Sequence, residues 1–110
     1  MAHSYRLLYQ IENDLKEIIF TIFLKNNRML QENRSLDSMY LHEIIACFGK
    51  YNILKHLFTS EERQHLYDLV EIRNKICHMK LISYHEKNRL QDCFTFVRNK
   101  KINCTWNGSA

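Results

Sequence analysis

The stretch that decides the fold spans residues 59–80, TSEERQHLYDLVEIRNKICHMK. It opens with Thr59 and Glu62 at the spacing of a capping box, in which a hydroxyl and a carboxylate accept hydrogen bonds from each other's backbone amides. Apolar residues then recur every three or four positions, which predicts a helix over about 60–79 with one face in a core. We assign six positions to that face: Leu66, Leu69, Val70, Arg73, Ile76 and Cys77.

Arg73 breaks this apolar stripe, since it places a permanent cation where the core face calls for leucine. Burying an unpaired charge costs on the order of several kcal/mol. Arg73 therefore needs an anionic partner or a cleft that ligands enter, unless its side chain snorkels to water. Glu12 lies inside the apolar seam of the first predicted helix, between Leu8 and Leu15. We expect Glu12 to pair with Arg73 across the bundle, either to set the helix register or to support a site.

The residues at the start of the chain predict a long first helix, over about 4–25, with Ser4 as its N-cap. Its seam contains Leu8, Ile11, Leu15, Ile18 and Ile22. Toward the C-terminal end of this helix the apolar surface widens, so we expect that end to pack on two sides, one of them against a partner subunit. The residues that widen it are Ile19, Phe20, Phe23 and Leu24.

The remaining segments also predict helices. We expect a second helix over about 35–48, begun by Ser35 and ended by Gly49 in a left-handed conformation. A short helical turn follows over 51–58. Ser83 and Glu86 form another capping box, which starts a last helix over about 84–103, with Leu90, Cys93, Phe94 and Val97 facing inward.

Composition supports one small helical domain. The chain has 110 residues, no proline and only two glycines, so long uninterrupted helices are permitted. The prediction is an all-α, four- to five-helix up-and-down bundle in a single domain of residues 1–110, with its core over about 5–101 and a frayed tail over 105–110. A bundle of this size buries a modest core, and we therefore expect a homodimer.

Charge is unevenly placed along the chain. Residues 1–72 contain eight Lys/Arg and ten Asp/Glu, whereas residues 73–110 contain eight Lys/Arg and two Asp/Glu. This asymmetry suits a phosphate-bearing partner. The four cysteines include no C-x-x-C pair and no secretory signal is evident, so we expect reduced thiols and a cytoplasmic location. The most apolar run, residues 18–24, is too short to span a membrane.

Asn74 and His78 complete a polar cluster with Arg73. They are one helical turn apart and so point the same way. An imidazole that titrates near neutrality can move a proton while a fixed cation and a carboxamide hold a phosphate. The Arg-x-x-x-x-His spacing alone is weak evidence, but it gains weight from Asn74, from the off-pattern arginine and from the basic sequence that follows.

The stretch 69–78, LVEIRNKICH, resembles the Arg-Asn-x-x-x-His signature of HEPN domains, in which the motif ends the third long helix of a small bundle. Residues 8–15, LYQIENDL, resemble the first helix of those domains, with an acidic residue facing the motif. Residues 83–98 resemble the capped helix that follows. The similarity covers about 5–101, and only the central motif is specific.

This resemblance implies a metal-independent endoribonuclease without a cofactor, which leaves 2′,3′-cyclic phosphate and 5′-hydroxyl ends and has a composite active site across a homodimer. Carried over by position, His78 would be the general acid/base and Arg73 would bind the scissile phosphate. Asn74 would orient the phosphate or the imidazole, and Glu12 would be the supporting acid.

Family members commonly act as toxins or phage-defence effectors, often on tRNA, which implies tRNA or another cellular RNA as substrate and an antitoxin or a larger defence complex as partner. Lys75 and Lys80 would add contacts to RNA. Members paired with nucleotidyltransferase antitoxins usually carry a tyrosine where this chain has Lys80. Silencing by modification of that tyrosine is therefore not predicted.

Two other classes of function stay open: a HEPN-like module that binds RNA or a nucleotide without cutting it, and a helical dimerisation or adaptor subunit. A zinc site is a weaker hypothesis, because its candidate ligands lack a paired spacing; they are Cys77, His78, His85 and Cys93. For stacking on bases the sequence offers Tyr84, Phe94, Phe96 and Trp106.

Overall fold

The computed structural model of the chain describes residues 2–26 and 35–107. Four α-helices and one short 3₁₀ helix account for the regular structure of these residues, and no strand occurs among them. The all-α bundle is confirmed. The α-helices are α1 (Ala2–Lys25), α2 (Leu41–Lys50), α3 (Ser60–Cys77) and α4 (Tyr84–Asn107), and the 3₁₀ helix is Leu36–Ser38.

Helix α1 supplies the predicted seam to the core. Leu8, Ile11, Leu15 and Ile18 are at most 3% exposed. The helix begins at Ala2, so Ser4 is a buried residue within its first turns and the prediction of an N-cap there was wrong. Of the four residues expected to widen the seam, two are buried and two are exposed: Ile19 and Phe23 face the core, whereas Phe20 and Leu24 face outward.

Helix α2 starts six residues later than predicted. Ser35 precedes the 3₁₀ helix, and its hydroxyl bonds to that of Ser38 rather than to a backbone amide. Met39 is extended and buried, so packing into the core interrupts the helical path before Leu41. Gly49 lies inside α2 without a positive φ, and the expected left-handed end at Gly49 was wrong.

Helix α3 faces the core with a slightly different stripe from the predicted one. Its buried residues are Leu66, Leu69, Ile72 and Ile76. Ile72 therefore takes the central core position that we had assigned to Arg73, while Cys77 is exposed and Val70 is half-buried. One position corresponds to about 100° around a helix, so this shift moves Arg73 from the middle of the apolar face to its margin.

Ion pairs fix the direction of α4 relative to α1. Arg98 contacts Asp14 at 2.7 Å, and Lys101 contacts Glu17 at 2.7 Å. The residue numbers rise together on the two helices, so α1 and α4 run in the same direction. Helix α4 continues to Asn107, four residues past its predicted end. The remainder of the predicted tail lies outside the described residues.

Helix α3 runs antiparallel to α4. Asp68 pairs with Arg89 at 3.4 Å and Lys75 pairs with Glu86 at 2.7 Å, so residue numbers rise on one helix as they fall on the other. Consequently the start of α1, the end of α3 and the start of α4 share one end of the bundle.

Helix α2 packs against the second half of α1 and against α3. Lys16 of α1 donates a hydrogen bond to the backbone carbonyl of Asp37 before α2, and Phe23 of α1 meets Tyr51 just after it, with ring centroids 5.1 Å apart. Helices α1, α2 and α4 therefore run in the same direction, and α3 runs in the opposite direction.

Candidate functional site

The two ends of α3 are set by local sequence. At its start, the backbone amide of Glu62 donates to the Thr59 hydroxyl at 3.0 Å and the Thr59 amide donates to the Glu62 carboxylate at 2.9 Å, so the predicted capping box is confirmed. At its end, the amide of Lys80 donates to the carbonyl of Lys75 at 2.8 Å and that of Met79 to the carbonyl of Ile76 at 3.0 Å. This paired arrangement is a Schellman motif.

The residue in the left-handed position of that motif is Met79, with φ 56°. Glycine or asparagine is usual there, because a side chain in this conformation costs about 1–2 kcal/mol. The helix therefore ends at Cys77, two residues earlier than predicted, and His78 becomes its C-cap. Because α3 ends within the last residues of the Arg-Asn-x-x-x-His sequence, no further helical turn covers His78.

The predicted pair between Glu12 and Arg73 is confirmed. Arg73 Nε donates to Glu12 Oε1 at 3.1 Å, and the two side chains are 34% and 21% exposed. The pair thus joins α3 to α1 at the boundary between core and solvent. Because this contact uses Nε, both Nη groups of the guanidinium remain without a hydrogen bond to any described residue. A carboxylate that fixes one edge of an arginine leaves the other donors available to a ligand.

Arg73 and Asn74 line a small cavity of about 190 Å³ between α3 and the start of α2. Its remaining wall consists of Val70 from α3 and three consecutive residues at the start of α2: Tyr40, Leu41 and His42. Sequence reasoning placed Arg73 and Asn74 together correctly, but it missed Tyr40 and His42, because the second helix was predicted to start well before them.

Tyr40 and His42 form an aromatic pair at this cavity. Their ring centroids are 6.0 Å apart with an angle of 14° between the ring planes, and both residues are exposed. Helix α2 begins between them, and its start is held by the backbone amide of Tyr40, which donates to the Glu43 carboxylate at 2.9 Å. That contact fixes the backbone on which both rings are mounted.

His78 stands apart from this cavity. Its backbone amide bonds to the carbonyl of Asn74 at 3.0 Å, and its side chain is exposed at the end of α3. The structure therefore brings Glu12, Arg73 and Asn74 together and leaves His78 one turn further along, at the end of the bundle. The imidazole is open to solvent.

The two predicted RNA-binding lysines have different surroundings. Lys75 Nζ contacts Glu86 at 2.7 Å; this hydrogen bond raises the pKa of Lys75 and lowers the pKa of Glu86. Glu86 also accepts from the Ser83 amide at 2.8 Å in the predicted capping box, which is thereby confirmed. Lys75 is thus engaged in holding α3 to α4, whereas Lys80 is exposed.

The cysteines and histidines do not assemble into a metal cluster. All four cysteines are free thiols, and no group of three or more His, Cys, Asp or Glu side chains among residues 2–26 and 35–107 is arranged to hold a metal ion. Burial raises the pKa of the Cys93 thiol to about 12. Cys93 is 0% exposed and lies in the core, and it does not join Cys77, His78 and His85 in a metal-binding group.

Of the aromatic residues proposed to stack on bases, Tyr84 is 75% exposed. Phe94 and Phe96 are half-buried; Phe94 lies under the guanidinium of Arg98, and Phe96 packs edge-on against Phe58. The side chain of Trp106 lies outside the described residues. Tyr84 is thus the accessible member of the three that are described.

Comparisons with protein-family models, with curated proteins and with solved structures give no match to this chain. Over the described residues, none of the helices has the combination of length and apolar character needed to cross a bilayer.

Proposed function

We propose that the chain is a metal-independent endoribonuclease of the HEPN type that cleaves tRNA or another cellular RNA. Arg73 binds the scissile phosphate and stabilises the charge that develops on it. Asn74 orients that phosphate, and His78 transfers the proton. Glu12 holds the guanidinium in place. The sequence resemblance and the arrangement at the end of α3 support this assignment together.

The observation that carries the proposal is the Glu12–Arg73 pair at the edge of an open cavity. Here the guanidinium is held by one carboxylate through Nε, is 34% exposed, and shares a cavity with the carboxamide of Asn74. A preorganised cation beside a neutral donor suits a phosphate whose negative charge grows in the transition state.

The proposed reaction is a transesterification within the RNA. The ribose 2′-oxygen attacks the adjacent phosphorus as its proton passes to a base, and the bond to the 5′-oxygen breaks as that oxygen takes a proton from an acid. The products are a 2′,3′-cyclic phosphate and a 5′-hydroxyl. Base and acid act on opposite sides of the phosphate, so one imidazole per protomer suggests that a second copy of His78 completes the site.

An exposed apolar surface beside His78 supports a homodimer. Met79, Leu81 and Tyr84 are 88%, 89% and 75% exposed; the first two lie in the connection between α3 and α4, and Tyr84 is the first residue of α4. Their association across a two-fold axis would remove apolar surface from water and bring two His78 side chains together. Exposed apolar patches often mark sites where proteins associate.

A toxin or phage-defence effector in the cytoplasm, restrained by an antitoxin or held in a larger defence complex, is the biological context that we propose. The exposed Lys80 adds a cation beside the motif for RNA. A ribonuclease that cuts cellular RNA harms the cell that makes it, so we propose an antitoxin that inhibits it.

The test is cleavage of total tRNA by the purified protein in the presence of a chelator. We expect cleavage with 2′,3′-cyclic phosphate ends, and a loss of about 100-fold or more in His78→Ala, since general acid–base catalysis contributes on that order. His56→Ala, at an exposed histidine in the segment between α2 and α3, is the matched control. A salt-sensitive gel shift without cleavage would instead indicate a binding module, and neither effect would indicate an adaptor.

A further inference from the structure

The cavity between α2 and α3 unites two chemistries that recognise a nucleotide. Arg73 and Asn74 supply donors for a phosphate, and the rings of Tyr40 and His42 supply an aromatic surface. We propose that this cavity is a single-nucleotide subsite, in which the phosphate lies on Arg73 and Asn74 while the base attached to the same nucleotide stacks on the Tyr40–His42 pair. The proposal rests on the proposed ribonuclease function for the identity of its substrate.

Donors for the phosphate come from both walls. The two Nη groups of Arg73 donate to no described residue, so they can donate to a phosphate. On the opposite wall, the amides of Leu41 and His42 occupy the first turn of α2, where no carbonyl of the same helix reaches them, and they donate to no other described residue. Both walls thus present positive charge density to the same small volume.

Cavity size limits what binds. Sites for drug-sized ligands commonly have volumes of about 300–1,000 Å³, so a cavity of about 190 Å³ suits a phosphate and part of its sugar. The base must therefore lie at the rim, and the rim carries the two aromatic rings. Their planes are 14° apart, and a flat base extends such a stack.

This arrangement selects single-stranded RNA. A base that stacks on Tyr40 and His42 cannot at the same time stack inside a duplex, so the target must be a loop, a bulge or an end. Stacking accepts any base, since every base has a π face. The subsite thus sets a preference for unpaired structure and not for sequence.

The experiment measures binding of an uncleavable probe, a 2′-O-methyl RNA decamer, by fluorescence anisotropy in the His78→Ala background. We expect the single strand to bind more tightly than the same strand in a duplex. Tyr40→Ala should weaken binding of the single strand about tenfold, as loss of one stacking partner does, and Tyr40→Phe should retain it. His42→Ala, at an exposed ring on the surface of α2, should also weaken binding with the fold intact by circular dichroism.

Tyr67→Ala is the matched control, because Tyr67 is a tyrosine of similar exposure on α3, 47% against 55% for Tyr40, outside this cavity. Equal affinities for Tyr40→Ala, His42→Ala and Tyr67→Ala would overturn the subsite, as would failure of the single strand to bind. If binding depends on Tyr40 and His42 while the wild-type protein does not cut RNA, the subsite stands and the ribonuclease proposal fails. If the wild-type protein cleaves RNA but binding does not depend on Tyr40 and His42, the ribonuclease proposal stands and the subsite fails.

Discussion

Two carboxylates on α1, only two positions apart, each contact the Nε of an arginine; the two arginines are similarly exposed, whereas the two carboxylates differ in burial. Asp14 has a side chain that is 4% exposed, and it contacts Arg98 at 2.7 Å and Lys101 at 3.3 Å, both on α4. Glu12 has a side chain that is 21% exposed, and it contacts Arg73 of α3 at 3.1 Å. The first cluster lies in the α1–α4 interface, the most extensive in the bundle, and the second borders a cavity.

The difference separates an ion pair that stabilises from one that positions. Asp14 is buried, so its charge requires its partners in the folded state, and it does not line the cavity at Arg73. The Glu12–Arg73 pair stays in contact with solvent, where an ion pair contributes little to stability, yet it fixes a cation beside Asn74. The same functional groups thus have two different surroundings, because the two carboxylates differ in burial.

The largest effect that would test this contrast is on activity. Arg73→Ala should lower RNA cleavage by about 10²–10³-fold, the loss measured when one preorganised donor to a developing anion is removed. Its free energy of unfolding should change little, since the lost pair is partly exposed. Single-turnover cleavage measures the loss of activity, and urea unfolding of the same preparation measures the free energy of unfolding. A variant that is destabilised without a specific loss of activity would contradict the difference between the two ion pairs.

The reverse pattern is expected at the other arginine. Arg98→Ala should lower the free energy of unfolding by about 2–3 kcal/mol, less than the full cost of breaking a buried pair because Lys101 still faces Asp14. The folded fraction should cleave RNA at the wild-type rate. Chemical denaturation measures the first value, and cleavage rates corrected for the folded fraction measure the second.

A smaller effect should follow from Glu12→Gln, which keeps the size and a hydrogen-bond acceptor but removes the charge. We expect activity to fall by roughly tenfold, the order of the loss when the outer partner that orients a metal ligand is removed, with a stability change below about 1 kcal/mol. The matched substitution Asp14→Asn should instead be seen mainly as a lower unfolding midpoint. Equal activities for Glu12→Gln and the wild type would remove Glu12 from the site.

The smallest effect is the pH dependence of the Lys75–Glu86 contact. The pKa of Glu86 is lowered in the folded protein, so its contribution to stability is present above the ordinary pKa of glutamate and is lost as the pH falls through the lowered value. The pKa of Lys75 is raised, so its contribution persists below the ordinary pKa of lysine and is lost as the pH rises through the raised value.

Thermal unfolding of the wild type and of Glu86→Gln should therefore differ more at pH 7 than at pH 3. The sign is the test: a difference that grows toward acid pH would show that the contact does not stabilise the fold.

Lys75→Ala should weaken RNA binding less than Lys80→Ala, because Lys75 already faces a carboxylate.

The sequence by itself determined two features. One is the start of α3 and of α4, each of which begins with a capping box, and the other is the ion pair between Glu12 and Arg73. The capping boxes at Thr59 and Ser83 involve residues three positions apart, so each forms from its own segment. The Glu12–Arg73 contact was predictable because each residue interrupts the apolar stripe that the sequence pattern predicts for its helix, and a partly buried charge is stabilised by an opposite charge.

Only the tertiary structure decided which positions share the site. Whether Ile72 or Arg73 occupies the middle of the core face depends on a rotation of α3 that packing sets, since both choices fit the helical period. The burial of Met39 displaced the start of α2 to Leu41 and brought Tyr40 and His42 beside Arg73. Contacts between segments so distant along the chain depend on how the helices pack, and no local pattern of residues encodes them.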